Sequence, residues 1–391
     1  MTPAARVQAA IEILDEVIRA AGEDGPPADT IVTRYFKHRR YAGSKDRRAV
    51  RELVFRMIRR SAERPPSGRA AMLGLAQDDP GLAGLFGEPR GPEPIVGDDQ
   101  AAPSGTIPQW LRAELSPLVD QEEWPALLER APLDLRVNVS RTSREEMLKA
   151  FPGGKASLTS PWGIRLPPDS RVDDHPAFAA GLVEIQDEGS QLVAVACGAR
   201  NGSRMLDLCA GAGGKSLALA AAAPGATILA TDSNRSRLSK LAPRSERAGA
   251  EIETRLLNPP RELAELADWR ENSDLVLVDA PCSGSGTWRR NPEGRWRLNP
   301  ERLARLVATQ RRLLGIAAEL VKPGGHLVYA VCSLLSREGS QQIDDFLRDR
   351  SSWISEQTAI AAGRSDGVGK LLTPGHDQTD GFFVARLGRP C

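Results

Sequence analysis

The chain has 391 residues, 41% of them hydrophobic and 26% charged, with a formal net charge of +1. That length exceeds what one hydrophobic core usually serves, so two or three globular domains are expected. No apolar run approaches the roughly 20 residues of a membrane span, and Glu12, Asp15 and Glu16 interrupt any secretory core near the N-terminus, so a cytoplasmic location is expected.

Residues 4–60 predict helices: Val7, Ile11, Leu14, Val17 and Ile18 recur at helical spacing, as do Val50, Leu53, Val54, Met57 and Ile58. Charge is uneven here, with twelve Lys or Arg between Arg34 and Arg64 against Asp46, Glu52 and Glu63. Arg47, Arg48, Arg51, Arg56, Arg59 and Arg60 surround the second helix, a solvated surface on the plain reading and a phosphate-contacting face on the other. Residues 73–86 predict further helix. The Pro-, Gly- and Asp-rich stretch 87–108 is the candidate linker. Residues 110–130 then read as helix, 133–139 as a strand and 141–151 as a helix capped near Ser143, a small α+β insert.

From Arg204 onward short apolar runs at 205–208, 227–231, 252–257, 275–278 and 327–331 alternate with helical stretches at 216–223, 235–248 and 303–321. Such alternation predicts an α/β domain with a parallel sheet covered on both faces and ligands at the carboxyl ends of its strands. The last strand candidate, 381–387, is expected antiparallel at one edge.

The first of these strands runs into Asp207, Leu208, Cys209, Ala210, Gly211, Ala212, Gly213, Gly214, Lys215 and Ser216. Small residues let the backbone approach a ligand, and the following helix N-terminus offers free N–H groups to an anion. The spacing departs from the dinucleotide fingerprint, whose last glycine would fall at Ser216, and from a phosphate-cradling loop; a tight structural turn is the alternative. Asp232, 25 positions after Asp207, ends the next strand, where a carboxylate accepts both hydroxyls of a ribose or serves near a helix start. The most specific signal is Asp279-Ala280-Pro281-Cys282-Ser283-Gly284-Ser285-Gly286, with Cys332-Ser333 bringing a second thiol to the same rim. Cys197, Cys209 and Cys391 read as buried small hydrophobes, and no cysteine pair or companion histidine has metal-ligand spacing.

Two thiols and a carboxylate suit one reaction. C5 of cytosine is a poor nucleophile until a thiolate adds at C6; an acid near N3 then stabilises the ring, and a base removes the C5 proton so that the thiol leaves.

These residues resemble the RsmB (Sun, or Fmu) family of bacterial RNA 5-methylcytosine methyltransferases. The match runs through Asp207, Cys209, Ala210, Gly213, Gly214 and Lys215, through Asp279 to Gly284 and Gly286, and through Cys332 and Ser333. Gln186-Asp187 with Ser190-Gln191, Arg136 with Asn138, and Asp380-Gly381-Phe382-Phe383 extend it. The resemblance implies a Rossmann-like seven-stranded methyltransferase sheet preceded by an all-α NusB-like domain and the α+β insert. It divides the chain into an RNA-binding domain at 1–90, a linker at 91–107, the insert at 108–165 and the methyltransferase domain at 166–391. It implies Cys332 as nucleophile, Cys282 as the group assisting release, Asp279 on the cytosine edge and Lys215 near both. S-adenosylmethionine would be held by Cys209, Ala210, Gly211, Ala212, Gly213, Gly214, Lys215, Asp232, Asn258 and Asp279. Small-subunit (16S) rRNA is the implied substrate; a tRNA, or a decayed catalytic site in an RNA-binding assembly protein, are the alternatives. The partner expected is RNA, with no DNA, membrane or metal, and the chain is expected to be a monomer. A DNA cytosine methyltransferase would use Cys282 as nucleophile and leave Cys332 without a role. Ala212, Val331, Gly339 and Ser340 depart from the family pattern, as does Asn258, which replaces an aspartate facing the adenine amino group but keeps an acceptor oxygen.

Overall fold

The computed structural model describes residues 1–23, 25–167 and 170–391. They form two compact units: Met1–Leu115 with Trp124–Glu129 and Thr287–Pro300, and Ser116–Glu123 with Arg130–Gly286 and Glu301–Cys391. Among the described residues no helix is long and apolar enough to cross a membrane.

The first unit is helical: α1 (Pro3–Gly22), α2 (Ala28–Lys37), α3 (Ser44–Arg60), α4 (Gly68–Asp78) and α5 (Pro80–Ala83). The Thr2 hydroxyl caps α1 by accepting from the Ala5 N–H at 3.2 Å. Val7, Leu14 and Val17 of α1 meet Val50, Val54, Met57 and Ile58 of α3 in one core. The single helix expected over 73–86 is two, because Pro80 has no N–H to continue α4 and instead starts α5. The helix expected over 110–130 is two 3-10 turns, Gln109–Glu114 and Pro125–Leu127, with Pro117 and Pro125 interrupting the ladder.

The stretch expected as a linker belongs to this unit, because its polar groups are engaged. The Ala102 N–H donates to Ala70 O at 2.8 Å, and Arg69 pairs with Asp99 at 2.6 Å. Residues 287–300, expected in the methyltransferase domain, also pack here. Trp296 is buried in the helical core and its indole N–H donates to Ser61 O at 3.0 Å. The Glu293 carboxylate accepts the Ala28 N–H at 3.0 Å, capping α2. Much of the basic run on α3 is taken up inside the unit: Arg51 pairs with Asp29, Arg56 with Asp79 and Arg60 with Asp78, while Arg47 and Arg59 donate to Ala42 O and Leu128 O. Lys45, Arg48 and Tyr41 stay exposed at the N-terminal end of that helix.

The second unit holds two sheets. The smaller is antiparallel, order β2-β3-β1-β4, from β1 (Leu133–Val137), β2 (Lys155–Ala156), β3 (Gly163–Leu166) and β4 (Val183–Ile185). The helix Arg144–Ala150 starts at a capping box in which Ser143 and Glu146 satisfy each other's backbone N–H groups.

The larger sheet contains β5 (Arg204–Asp207), β6 (Thr227–Asp232), β7 (Glu253–Leu256), β8 (Ser273–Asp279), β9 (Val321–Val331), β10 (Ile354–Glu356), β11 (Arg364–Asp366), β12 (Gly369–Leu372) and β13 (Phe382–Gly388). Its order is β11-β12-β13-β9-β8-β5-β6-β7, with β10 on β13. Strands β5 to β9 are mutually parallel. Seven strands were expected; the three-residue β10 and β11 extend the sheet to nine. β13 is not an edge strand: it runs antiparallel to β9, and β12 and β10 pair with it as well. The sheet advances from β5 to β7 on one side and from β8 to β9 on the other, so a crevice opens at the carboxyl ends of β5 and β8.

Candidate active site

Five strand ends deliver the site. Asp207 ends β5, Asp232 ends β6, Leu257 follows β7, Asp279 ends β8 and Cys332 follows β9. Cys209, Asp232, Asp279, Cys282 and Cys332 share the wall of one cavity of about 500 Å³, a size suited to a small-molecule ligand. Leu257 and Pro259 continue the wall on either side of Asn258, which is itself exposed.

The loop after β5 turns through Gly211 and Gly213, both at positive φ, before the helix Gly214–Ala222 begins. A Cβ on Gly213 would lie 2.1 Å from the Leu241 side chain, so this close approach requires glycine on two grounds. Arg244 holds the turn from outside by donating to Ala212 O at 2.6 Å. One oxygen of the Asp232 carboxylate accepts the Gly211 N–H at 2.8 Å and the other the Asn234 N–H at 2.6 Å. Each oxygen keeps a further lone pair, so the carboxylate is oriented yet able to take hydroxyl groups.

Asn258 is also oriented. Its backbone N–H and side-chain NH2 both donate to Glu265, at 2.8 and 2.9 Å. The amide oxygen is therefore the group left to accept from a ligand, an acceptor of the kind the adenine amino group needs. Asp207 stands behind the cavity, almost fully buried, with one oxygen accepting from the Ser216 hydroxyl at 2.6 Å and the other without a partner. Burial pushes its carboxyl up to about 7, against the hydrogen bond from Ser216.

The two thiols meet: Cys282 Sγ and Cys332 Sγ are 3.3 Å apart. Lys215 Nζ donates to Asp279 Oδ2 at 2.6 Å, with the Phe382 ring 5.2 Å from the ammonium. Burial alone would lower the Lys215 pKa, but the Asp279 carboxylate and the charge of Cys332 outweigh it and the ammonium is held more firmly than usual. The hydrogen bond to Cys332, burial and the charge of Cys332 hold the Cys282 thiol well above the usual range, and the negative charge of Glu338 adds to them. Gly286 lies against Gly381, where an added Cβ would sit 2.0 Å from the Gly381 oxygen, and the Gly381 N–H donates to Gly286 O at 2.8 Å. The Asp187 carboxylate accepts the Asp380 N–H, so the 186–191 segment and the 380–383 segment brace the Cys282 loop.

Of the cysteines outside this pair, one matches its expected burial and two do not. Cys197 is buried, whereas Cys209 is half-buried on the cavity wall and Cys391 is exposed at the chain end. Sequence reading passed over four groups here: Glu338, Gln310, Glu265 and the wall pair Arg312 and Glu262, which form an ion pair at 2.5 Å. Glu338 precedes the Gly339 and Ser340 that depart from the family pattern, and that place in the pattern is its signal in the sequence.

A family model described as 16S rRNA methyltransferase RsmB/F matches residues 194–388. The "Ribosomal RNA small subunit methyltransferase B" of Klebsiella pneumoniae (strain 342) is 35% identical over 292 residues, covering 72% of this chain and 65% of that protein. The protein of the same name from Xanthomonas campestris pv. campestris is 34% identical over 303 residues, covering 75% and 68%. The chain thus spans about two thirds of the length of these relatives. Among solved structures, the fold resembles the crystal structure of PH0851 at a TM-score of 0.75 and 22% identity, with 99% of each chain covered. A methyltransferase homologue from Pyrococcus horikoshii aligns at a TM-score of 0.59 and 25% identity, over 68% of this chain and 90% of its own. The family model spans both thiols and a relative 34% identical is covered over 68% of its length, so the chain belongs to the RsmB/F family of 16S rRNA methyltransferases.

Proposed function

We propose that this protein is an S-adenosylmethionine-dependent RNA methyltransferase that methylates C5 of a cytosine in small-subunit rRNA. The observation that carries the reading is the 3.3 Å approach of Cys282 to Cys332 on a cavity wall that also bears Asp279 and Asp232. The names of the relatives supply the rRNA substrate class.

Residues present fit the cofactor: Asp232 for the ribose, the Asn258 oxygen for the adenine amino group, and the backbone from Cys209 through Gly214 with Lys215 around the amino-acid end. S-adenosylmethionine, when bound, supplies an electrophilic methyl group. Cys332 Sγ adds to C6 of the cytosine, which places an electron pair on C5 for bond formation to that methyl. Asp279 orients the base at its N3 and amino edge, with Lys215 fixing the carboxylate. A general base then removes the C5 proton, the C6–S bond breaks to return Cys332 as thiolate, and the Cys282 thiol assists that release by hydrogen bonding to the departing sulfur across the 3.3 Å contact. A base must leave its stack to reach the thiols, so a loop or a partly unpaired assembly intermediate suits the site. The exposed Lys45, Arg48 and Tyr41 of the helical unit offer charge and a ring face to RNA.

The test is a pair of variants incubated with rRNA and S-adenosylmethionine. Cys282→Ala is expected to accumulate a covalent protein–RNA adduct on denaturing gels, and Cys332→Ala to lose adduct and 5-methylcytosine together. Adduct formation by Cys332→Ala but not Cys282→Ala would exchange the two roles. Absence of 5-methylcytosine from rRNA treated with the wild-type protein would sink the reading.

A further inference from the structure

Glu338 lies outside the site expected from the sequence, yet it joins both thiol-bearing loops. Its side chain is fully buried. Oε1 accepts the Ser283 N–H and the Gln310 amide, each at 2.9 Å. Oε2 accepts the Ser283 and Ser333 hydroxyls at 2.5 and 2.6 Å. All four of these partners donate, a set that matches a carboxylate acting only as acceptor. Ser283 follows Cys282 and Ser333 follows Cys332, so one anion holds the residue after each thiol. Gln310 also donates to Pro281 O at 2.9 Å, fixing the residue before Cys282. The Tyr329 hydroxyl donates to Glu338 O at 2.7 Å and ties the arrangement to β9.

We propose that Glu338 is a positioning residue that sets the separation of the two thiols and keeps Cys282 as the proton-bearing partner, leaving Cys332 alone as the nucleophile. The charges are arranged asymmetrically. Glu338 takes both the N–H and the hydroxyl of Ser283 but only the hydroxyl of Ser333, so its carboxylate sits more firmly on the Cys282 loop, where its charge adds to the larger effects of Cys332 and burial, while the Lys215 ammonium answers to Asp279 and Cys332. The other titratable groups nearby are Asp279, Cys209, Tyr329 and, across the cavity, Arg312. Two identical thiols 3.3 Å apart would otherwise be interchangeable donors and acceptors. Only the naming of a nucleophile rests on the proposed function; the inequality of the thiols does not.

The experiment uses the full chain without RNA or cofactor. Wild type, Glu338→Gln and Glu338→Asp are treated with iodoacetamide from pH 6 to 9, and the modified cysteines are quantified by mass spectrometry. Wild type is expected to react first at Cys332, with Cys282 lagging. Glu338→Gln is expected to raise the Cys282 rate severalfold relative to Cys332, whereas Glu338→Asp keeps the wild-type order. Binding of S-adenosylhomocysteine within about twofold of wild type, roughly a third of a decade in Kd, shows that the fold is intact. Ser333→Ala removes one donor and leaves the charge, and serves where Glu338→Gln does not fold: Cys282 should stay slow in it. Cys282 reacting first in wild type, Glu338→Gln behaving like Glu338→Asp, or a fast Cys282 in Ser333→Ala would each overturn the assignment. The expected thiol order together with no 5-methylcytosine would defeat the proposed substrate and leave the role of Glu338 standing.

Discussion

Lys215→Met is the most informative single change, because methionine keeps the length and packing of the side chain and removes only the charge. Lys215 is 9% exposed and Asp279 29%, and their charged atoms are 2.6 Å apart. Removing one partner of a buried pair costs about 3–5 kcal/mol, since the other charge stays desolvated. Asp279 keeps nearly a third of its side-chain surface in water, which discounts the penalty to about 2–3 kcal/mol, below the fully buried range. Urea unfolding followed by tryptophan fluorescence reads this as a lower midpoint for the transition of the methyltransferase unit. Lys215→Met/Asp279→Asn should recover at least about 1 kcal/mol, because the stranded charge is gone and the two positions are directly coupled. Catalysis should not recover with it: the double variant loses the oriented carboxylate and stays roughly 100-fold or more below wild type. A single variant as stable as wild type, or a double variant no more stable than the single, would refute the view that the ammonium is there to hold Asp279.

Asn258→Asp sets a second carboxylate against Glu265 and should weaken S-adenosylhomocysteine roughly threefold to tenfold by calorimetry, about one hydrogen bond's worth. Asn258→Asp/Glu265→Gln should restore it, and equal affinity for wild type and Asn258→Asp would show that the amide oxygen faces no ligand. Asp207 gives a pH signature, since burial raises its folded value to about 7 while the unfolded chain titrates near the ordinary carboxylate range. Its contribution is fully present below the unfolded value and is lost as pH rises toward 7, a window in which Asp207→Asn should show a flatter stability profile. Above pH 7 that variant should be the more stable, by at most about 2–4 kcal/mol. Parallel profiles for the two proteins from pH 4 to 8 would remove Asp207 from the account.

What could be read from the sequence was whatever is local. Apolar periodicity located β5 to β9 within a residue or two at most ends, and a glycine run beside a strand end marked the loop through Gly213 before any coordinate did. Proline acts locally as well, but Pro80, Pro117 and Pro125 sit inside otherwise helical patterns, and their lost hydrogen bonds divide elements that hydrophobic spacing alone would merge. Trp296 was out of reach for a different reason. Its partner, Ser61 O, is more than 200 residues away in the chain, and nothing in the 287–300 segment itself announces a place in the helical core.

The same distance in sequence governs the site. Cys282 and Cys332 are 50 residues apart and meet because β8 and β9 are adjacent parallel strands whose ends share one rim. Each cysteine could be recognised by its neighbours, and the family resemblance gave the two different roles, but the physical ground for that difference lies in where Lys215 and Glu338 stand relative to the pair. Lys215 arrives from the helix after β5, which flanks β8 on its far side from β9. Glu338 arrives from the turn after β9, folded back beneath both serines. A cation from the β5 end and a carboxylate from the β9 end meet the thiol pair only in the folded chain, and neither cysteine motif contains them.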